Sequence, residues 1–228
     1  MISPTVEDYL KTIYTFSRRA AWVSTSSLAE RLGLAPGSVT GMLKRLSAQG
    51  LVEHVPYSGV RLSEDGGREA IRMIRRHRIL ELFLGQMLGY TWDRVHAEAE
   101  RLEHAASDEM IDRLAQMLGE PEVDPHGAPI PRAGQSFDEP DYQSLAELEE
   151  GCPAIVRRVS NDDPAALRYL AELELVPGIT VEVLDRAPFA GPLRVRVGMN
   201  DQVLGRELAR SLFVESTALS ACGRGSHV

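Results

Sequence analysis

Cysteine is almost missing from this chain. Cys152 and Cys222, the two among 228 residues, stand far apart and match no metal-binding or redox spacing. Both are expected as free thiols in a reducing compartment. No apolar run approaches membrane-spanning length, so no transmembrane helix is expected. The opening MISPTVEDYLKTIY carries acids where a signal peptide has its basic region, which points to a cytoplasmic protein with no membrane partner. Enzyme signatures are missing too. The H-E-x-x-H helix of zinc proteases is absent, because His96 and His104 lie eight apart, and there is neither a serine nucleophile elbow nor a phosphate-cradling glycine loop. No catalytic residue is assigned. Repeats and low-complexity tracts are absent as well.

What remains is ordinary in bulk and uneven in distribution. Hydrophobic residues make up 43% and charged residues 25%, as in a soluble globular protein, and the length suits one large or two modest domains. The net charge of −8 argues at first against nucleic acid. The average hides a split: residues 1–78 hold 12 Lys/Arg against 7 Asp/Glu, and the remainder holds 13 against 26. A basic N-terminal third on an acidic body suits a DNA-binding domain attached to something else.

Helical periodicity runs through residues 5–20 (Val6, Leu10, Ile13, Tyr14), with Pro4 near the start. STSSLAERLG and PGSVTGMLKRLSAQG give two further short helices ending at Gly33 and Gly50, and LVEHVPYSGVRLS gives a hairpin turning at Tyr57-Ser58-Gly59. Two short helices and a hairpin make a winged helix-turn-helix. A helix entering the major groove needs small or hydrogen-bonding residues near its N-terminus. Pro36, Gly37, Ser38, Thr40, Gly41 and Lys44 supply them, while Val39, Met42, Leu43 and Leu46 face inward. Tyr57 and Arg61 on the hairpin are placed for phosphate or the minor groove. The alternative is a winged helix used only to bind protein.

Three more helices follow: SEDGGREAIRMIRRHRILELFLGQMLG, its first turns weakened by Gly66-Gly67, then WDRVHAEAERLEHA and SDEMIDRLAQMLG. PEVDPHGAPIPRAGQSFDEP, with five prolines in 20 residues, reads as a linker or long loop. Short β-like runs then dominate (CPAIVRRV, ITVEVLDRA, LRVRVG, SLFVEST), interrupted by the amphipathic helix DPAALRYLAELELVPG, and suggest a small barrel. The expected fold is mainly α with a small β domain. Its divisions are a winged-helix domain over 1–70, a helical domain over 71–120, a Pro-rich linker over 121–143 and the barrel over 144–222.

HAEAERLEHAASDE places His96, Glu100, Glu103 and His104 where an amphipathic helix normally keeps apolar residues. At roughly 100° per residue these fall near 0°, 40°, −20° and 80°, a single wedge. The preceding helix carries His77 and Glu81, again four apart. Either these are solvated faces, or they gather ligands around an ion. Carboxylate and imidazole without thiolate favour Mn(II) or Fe(II) over Cu(I) or a structural zinc cage.

The order of winged helix, RRHRILELFL, VHAEAERLEHAASDE, PHGAPIP and small β domain resembles the diphtheria-toxin-repressor family of metal-dependent transcription regulators, over almost the whole chain. The resemblance implies a helical dimerisation domain, an SH3-like barrel and two metal sites. One joins the first helix to the dimerisation helices, with Asp8, Glu100, Glu103 and His104 as ligands. Iron-sensing members have methionine and cysteine at the positions of Asp8 and Glu100, and manganese-sensing members have carboxylates at both, as here. The second, ancillary site takes His77, Glu81 and His96, with Asp162 or Asp163 from the barrel. Two-domain manganese regulators pair two ions with a glutamate at the position of Lys11, which an ammonium cannot replace.

The function so implied is an Mn(II)-dependent regulator, also open to Fe(II), that represses metal-uptake genes by binding palindromic double-stranded operators as a homodimer. Ile79, Leu82, Phe83, Leu84 and Leu114 belong either to the dimer interface or to the core. Two other readings remain open: a metal-independent winged-helix regulator whose barrel binds a peptide or small ligand, and a metalloenzyme.

Overall fold

In the computed structural model, residues 2–18, 20–135, 137–160 and 163–217 are described, and they form two compact units with eight helices and eight strands. The first unit comprises Met1–His77, Glu100–Arg113 and Pro131–Phe137. Its α1 (Pro4–Ser17) starts on a proline, whose fixed φ suits a first helical turn, and buries Val6, Tyr9, Leu10 and Ile13 at helical spacing. The Ser24 hydroxyl accepts the Ser27 N–H at 3.0 Å to start α2 (Thr25–Leu32), and Gly33, at φ 65°, ends it. α3 (Pro36–Ala48) buries Val39, Leu43 and Leu46, with Met42 packed beside them as its spacing predicts. Each fully buried leucine or valine contributes about 1.5–3 kcal/mol relative to an exposed one, and these terms offset the entropy lost on ordering the three helices.

β1 (Val52–Val55) and β2 (Gly59–Leu62) pair antiparallel, and Val60 also bridges to Val23. Gly59 permits this: at φ 119°, a Cβ there would sit 2.4 Å from the Val23 carbonyl oxygen. The next helix, α4 (Glu64–Leu88), docks by a second close approach. A Cβ on Gly66 would fall 1.9 Å from the Leu51 carbonyl oxygen, whereas Gly67 has open space around it. The first glycine therefore serves packing, and only the second is a plain weakness in the helix.

α5 (Trp92–Leu102) stops earlier than the periodicity predicts. The Ala105 and Ala106 N–H groups both turn back to the Leu102 carbonyl, so Glu103 and His104 lie in the following turn and the single helical wedge does not hold for them. The Ser107 hydroxyl then caps α6 (Asp108–Met117) through the Met110 N–H. Ile79, Leu82, Leu84 and Leu114 are buried within the single chain, and Phe83 is half-buried. That assigns the four to core packing; the exposed apolar residues of α4 and α6 are Met87, Leu88, Met110 and Met117.

The second unit comprises Arg78–Ala99, Leu114–Ile130 and Asp138–Val228. Its antiparallel sheet has the order β3-β8-β4-β5-β6-β7, with β3 at Gln143–Ser144, β4 at Pro153–Val159, β5 at Thr180–Arg186, β6 at Leu193–Val197, β7 at Asn200–Leu204 and β8 at Leu212–Ser216. Alternate residues Val181, Val183, Leu193, Val195 and Val197 face one core. β7 was not foreseen, because NDQVL on the sheet edge shows almost no apolar alternation. α7 (Pro164–Glu172) and the short α8 (Arg206–Arg210) complete the unit. Cys152 is buried and disulfide-bonded, which corrects the free-thiol expectation for it; Cys222 lies outside the described residues.

The Pro-rich stretch is irregular, as expected, yet it is not a solvated linker. Asp124, His126, Ala128 and Ile130 are all buried. The Asp124 Oδ1 accepts the N–H groups of His126 (2.8 Å) and Ala128 (2.9 Å), closing a turn. Gly127, at φ 84°, would place a Cβ 2.0 Å from the Arg157 carbonyl oxygen, and the Val159 N–H donates to the His126 carbonyl at 2.9 Å. The turn is thus fastened to β4.

Candidate metal centres and nucleic-acid interface

In the first unit, one ligand atom each from Asp8, Glu103 and His104 lies within 4.8 Å of the others. Asp8 comes from the second turn of α1, and Glu103 and His104 from the turn that ends α5. The His104 Nε2 stands 3.1 Å from Asp8 Oδ1 and 3.9 Å from Glu103 Oε1. Burial foremost, with help from Glu103 and Glu100, raises the Asp8 carboxyl above its usual value, against the pull of His104 and Lys11. A carboxylate made uncomfortable in this way is relieved by an added cation.

Glu100 does not join that trio. Its Oε1 accepts from the Lys11 ammonium at 2.9 Å, and Lys11 also donates to both oxygens of Glu103, at 2.8 and 3.1 Å. Burial alone would lower Lys11, but Glu103 and Glu100 outweigh it and hold the ammonium above its ordinary value. Burial would likewise raise the nearly inaccessible Glu103, yet His77 and Lys11 hold it low. His77 meets Glu103 directly, Nδ1 to Oε2 at 2.5 Å.

The second unit brings together Glu81, Asp124 and His126, whose ligand atoms also lie within 4.8 Å, all buried. The His126 Nε2–H donates to the Trp92 carbonyl at 2.8 Å while the two rings stack at 5.7 Å. A carbonyl only accepts, so in the neutral ring the lone pair sits on Nδ1. That atom is buried without a hydrogen-bond partner and faces Glu81 Oε2 at 3.5 Å. Burial, then Glu81, pushes the Asp124 carboxyl up to about 6. His96 Nδ1 lies 3.0 Å from Glu81 Oε1.

Of the expected ancillary ligands, then, Glu81 and His96 meet, and Glu81 is grouped with Asp124 and His126, which sequence reasoning missed. The signal was the D-x-H spacing in DPHG, read there as loop. Asp163 does not join the group: its Oδ1 caps α7 through the Ala165 N–H at 2.8 Å. Asp162 lies outside the described residues. Both groups fit a divalent ion of the Mn(II) or Fe(II) kind, having oxygen and imidazole donors at mutual distances that one ion can span.

On the winged helix, Pro36, Gly37, Ser38, Gly41 and Lys44 are exposed, and Gly37 and Gly41 have open space where a side chain would be. Among the described residues nothing approaches a Cβ built at either glycine, and the helix face is flat there. Thr40 is half-buried, its hydroxyl donating to the Pro36 carbonyl at 3.0 Å. Tyr57, fully exposed at φ 66°, forms the tip of the wing. Arg61 is engaged at home: it pairs with Glu53 at 2.6 Å and lies over the Trp22 ring at 4.9 Å.

A winged helix whose first helix also lends a carboxylate to an oxygen-and-nitrogen ligand group is the design of a metal-dependent DNA-binding regulator, and known proteins bear this out. Three family models match in tandem: the iron-dependent repressor N-terminal DNA-binding domain over residues 1–60, the iron-dependent repressor metal-binding and dimerisation domain over 63–132, and the FeoA domain over 143–216. The iron-dependent repressor IdeR of Mycobacterium tuberculosis is 30% identical over 223 residues, covering 92% of this chain and 96% of its own. The transcriptional regulator MntR of Lysinibacillus sphaericus is 33% identical over 125 residues, covering 55% of this chain and 89% of its own. A solved manganese-dependent transcriptional repressor in complex with manganese superposes with a TM-score of 0.87 at 40% identity, over 92% of this chain and 99% of that one. The chain belongs to the diphtheria-toxin-repressor family of iron-dependent and manganese-dependent repressors. Among the described residues no helix is long and apolar enough to cross a membrane.

Proposed function

We propose that this chain is a cytoplasmic, Mn(II)-responsive repressor of metal-uptake genes that binds palindromic operators as a homodimer and has no catalytic role. One observation carries the reading: the Asp8, Glu103 and His104 ligand atoms lie within 4.8 Å of one another, with Asp8 on the first helix of the DNA-reading unit. When bound there, Mn(II) supplies positive charge among carboxylates that otherwise repel one another. Asp8 then ties α1 to the turn carrying Glu103 and His104, with Glu100 alongside. Glu81, Asp124 and His126, with His96 adjoining Glu81, form the second site, and His77 supports the first through Glu103. Hard oxygen donors, Asp8 in the group and Glu100 beside it, favour Mn(II); the same set would also take Fe(II), and iron is the metal named for the mycobacterial relative.

Fixing α1 orients α3, whose Pro36, Gly37, Ser38, Thr40 and Lys44 face the major groove, with Tyr57 and Arg61 on the wing at the backbone. In a symmetric dimer the two α3 helices must reach successive grooves about 34–36 Å apart, and an ion bound only by the competent arrangement shifts the population toward it. Boundaries at 70, 120 and 143 belong to the same proposal and are open to limited proteolysis. The decisive experiment is an operator mobility-shift titration with and without Mn(II). Affinity should rise with Mn(II) and fall on chelation; equal affinity in both conditions would refute the switch. Asp8→Ala should abolish the Mn(II) stimulation while circular dichroism shows an intact fold.

A further inference from the structure

Glu7 takes no part in either ligand group, yet it is a buried charged residue, 5% exposed, at the start of α1. Its Oε2 lies 2.8 Å from His104 Nδ1. A carboxylate oxygen accepts, and this contact is shorter than the one of 3.1 Å between Nε2 and Asp8, so the neutral ring is favoured with its proton on Nδ1 and its lone pair on Nε2. Nε2 is the atom that faces Asp8 at 3.1 Å and Glu103 at 3.9 Å. We propose that Glu7 is a positioning residue that holds His104 in the tautomer and ring orientation able to ligate an ion between Asp8 and Glu103. The inference rests on the metal-site reading above and deepens it.

Two plainer roles fit the geometry less well. As a direct ligand, Glu7 stands at the wrong edge of the ring, on the Nδ1 side. As a mere counter-charge for buried arginine it is dispensable: its Oε1 is 3.7 Å from Arg72 and 3.8 Å from Arg76, beyond hydrogen-bond range. Those guanidinium groups are instead held by Asp108, Arg76 at 2.9 and 2.8 Å and Arg72 at 3.1 Å. The short contact of Glu7 is the one to His104. A carboxylate behind a ligating histidine fixes its tautomer and raises its basicity, and losing such a partner typically weakens metal affinity about 10–100-fold.

The test begins on metal-free protein. Long-range proton–nitrogen correlation spectra of ¹⁵N-histidine-labelled wild type, with His104 identified by its absence from His104→Gln, should show the neutral ring protonated at Nδ1. Glu7→Gln keeps an oxygen acceptor and should preserve this tautomer, with an Mn(II) affinity between those of wild type and Glu7→Leu because the charge is lost. Glu7→Leu should mix the tautomers and weaken Mn(II) binding, followed by the solution EPR signal of free Mn(II), about 10–100-fold. A wild-type ring protonated at Nε2 would overturn the proposal, as would Glu7→Leu binding Mn(II) like wild type. Should Glu7→Leu not fold, the wild-type spectrum decides. Failure of wild type to bind Mn(II) would instead sink the metal-site reading, and the tautomer of the metal-free ring would still be judged separately.

Discussion

Asp124 shows how much one buried carboxyl can govern. Burial, with Glu81 close by, pushes it up to about 6, so the folded protein holds this proton where an unfolded chain has released it. A raised acid contributes stability that is fully present below the unfolded value, near 4, and lost as pH rises through 6. An ion ligated by Asp124 competes with the same proton. Mn(II) binding at the second site should therefore weaken as pH falls through 6, and more steeply when the Asp124 carboxyl is present, while His126, which Glu81 and Asp124 hold above its ordinary value against burial, adds its own proton competition either way. Calorimetric titration of wild type against Asp124→Asn between about pH 5 and 7.5 checks this; an equal slope in both would refute it. The residue scale is also where the sequence was most uneven. Asp8, Glu103 and His104 were legible through spacing and family resemblance. Glu7, Asp124 and His126 were not, because a glutamate beside a ligand and an aspartate in a proline-rich loop look like ordinary surface until burial is known.

Among the elements, the helices of the winged domain were readable because caps and periodicity agreed: Pro4, Ser24, Gly33 and Pro36 punctuate where the pattern changes. The end of α5 was not, since periodicity runs on through His104 while the chain turns at Leu102 to bring Glu103 inward. The Gly66-Gly67 pair carries the sharper lesson, because two adjacent glycines do opposite things. Gly66→Ala would drive a methyl group into the Leu51 carbonyl and should destabilise the protein by about 1–3 kcal/mol, the usual cost of overpacking. Gly67→Ala meets nothing and should stabilise it by about 0.4–1 kcal/mol through the unfolded chain. Urea denaturation of the two variants reads the signs directly. Stability changes of the same sign would mean that α4 does not start against the Leu51 backbone.

For the whole molecule, charge and symmetry must be considered together. Residues 79–228 carry 26 acids against 13 basic residues and repel a duplex, so affinity has to come from the basic first 78. One such head exposes Arg31, Lys44 and Arg45 as well as Arg61, which is paired with Glu53, and Lys44 stands on the open face of α3. Two heads placed in register would double the number of neutralised phosphates without adding a residue, which is how, under the proposed function, an ion that fixes one helix would control the binding of the whole dimer. The logarithm of operator affinity should fall linearly with the logarithm of salt concentration when Mn(II) is present, each neutralised phosphate adding about −0.9 to the slope. Because every Lys44 occurs twice in the dimer, Lys44→Ala should reduce the steepness by about 2 rather than about 1. Fluorescence anisotropy with an operator duplex from about 50 to 200 mM salt measures it. A reduction of about 1 would mean that only one head engages the backbone through this lysine, and no reduction would remove Lys44 from the interface altogether.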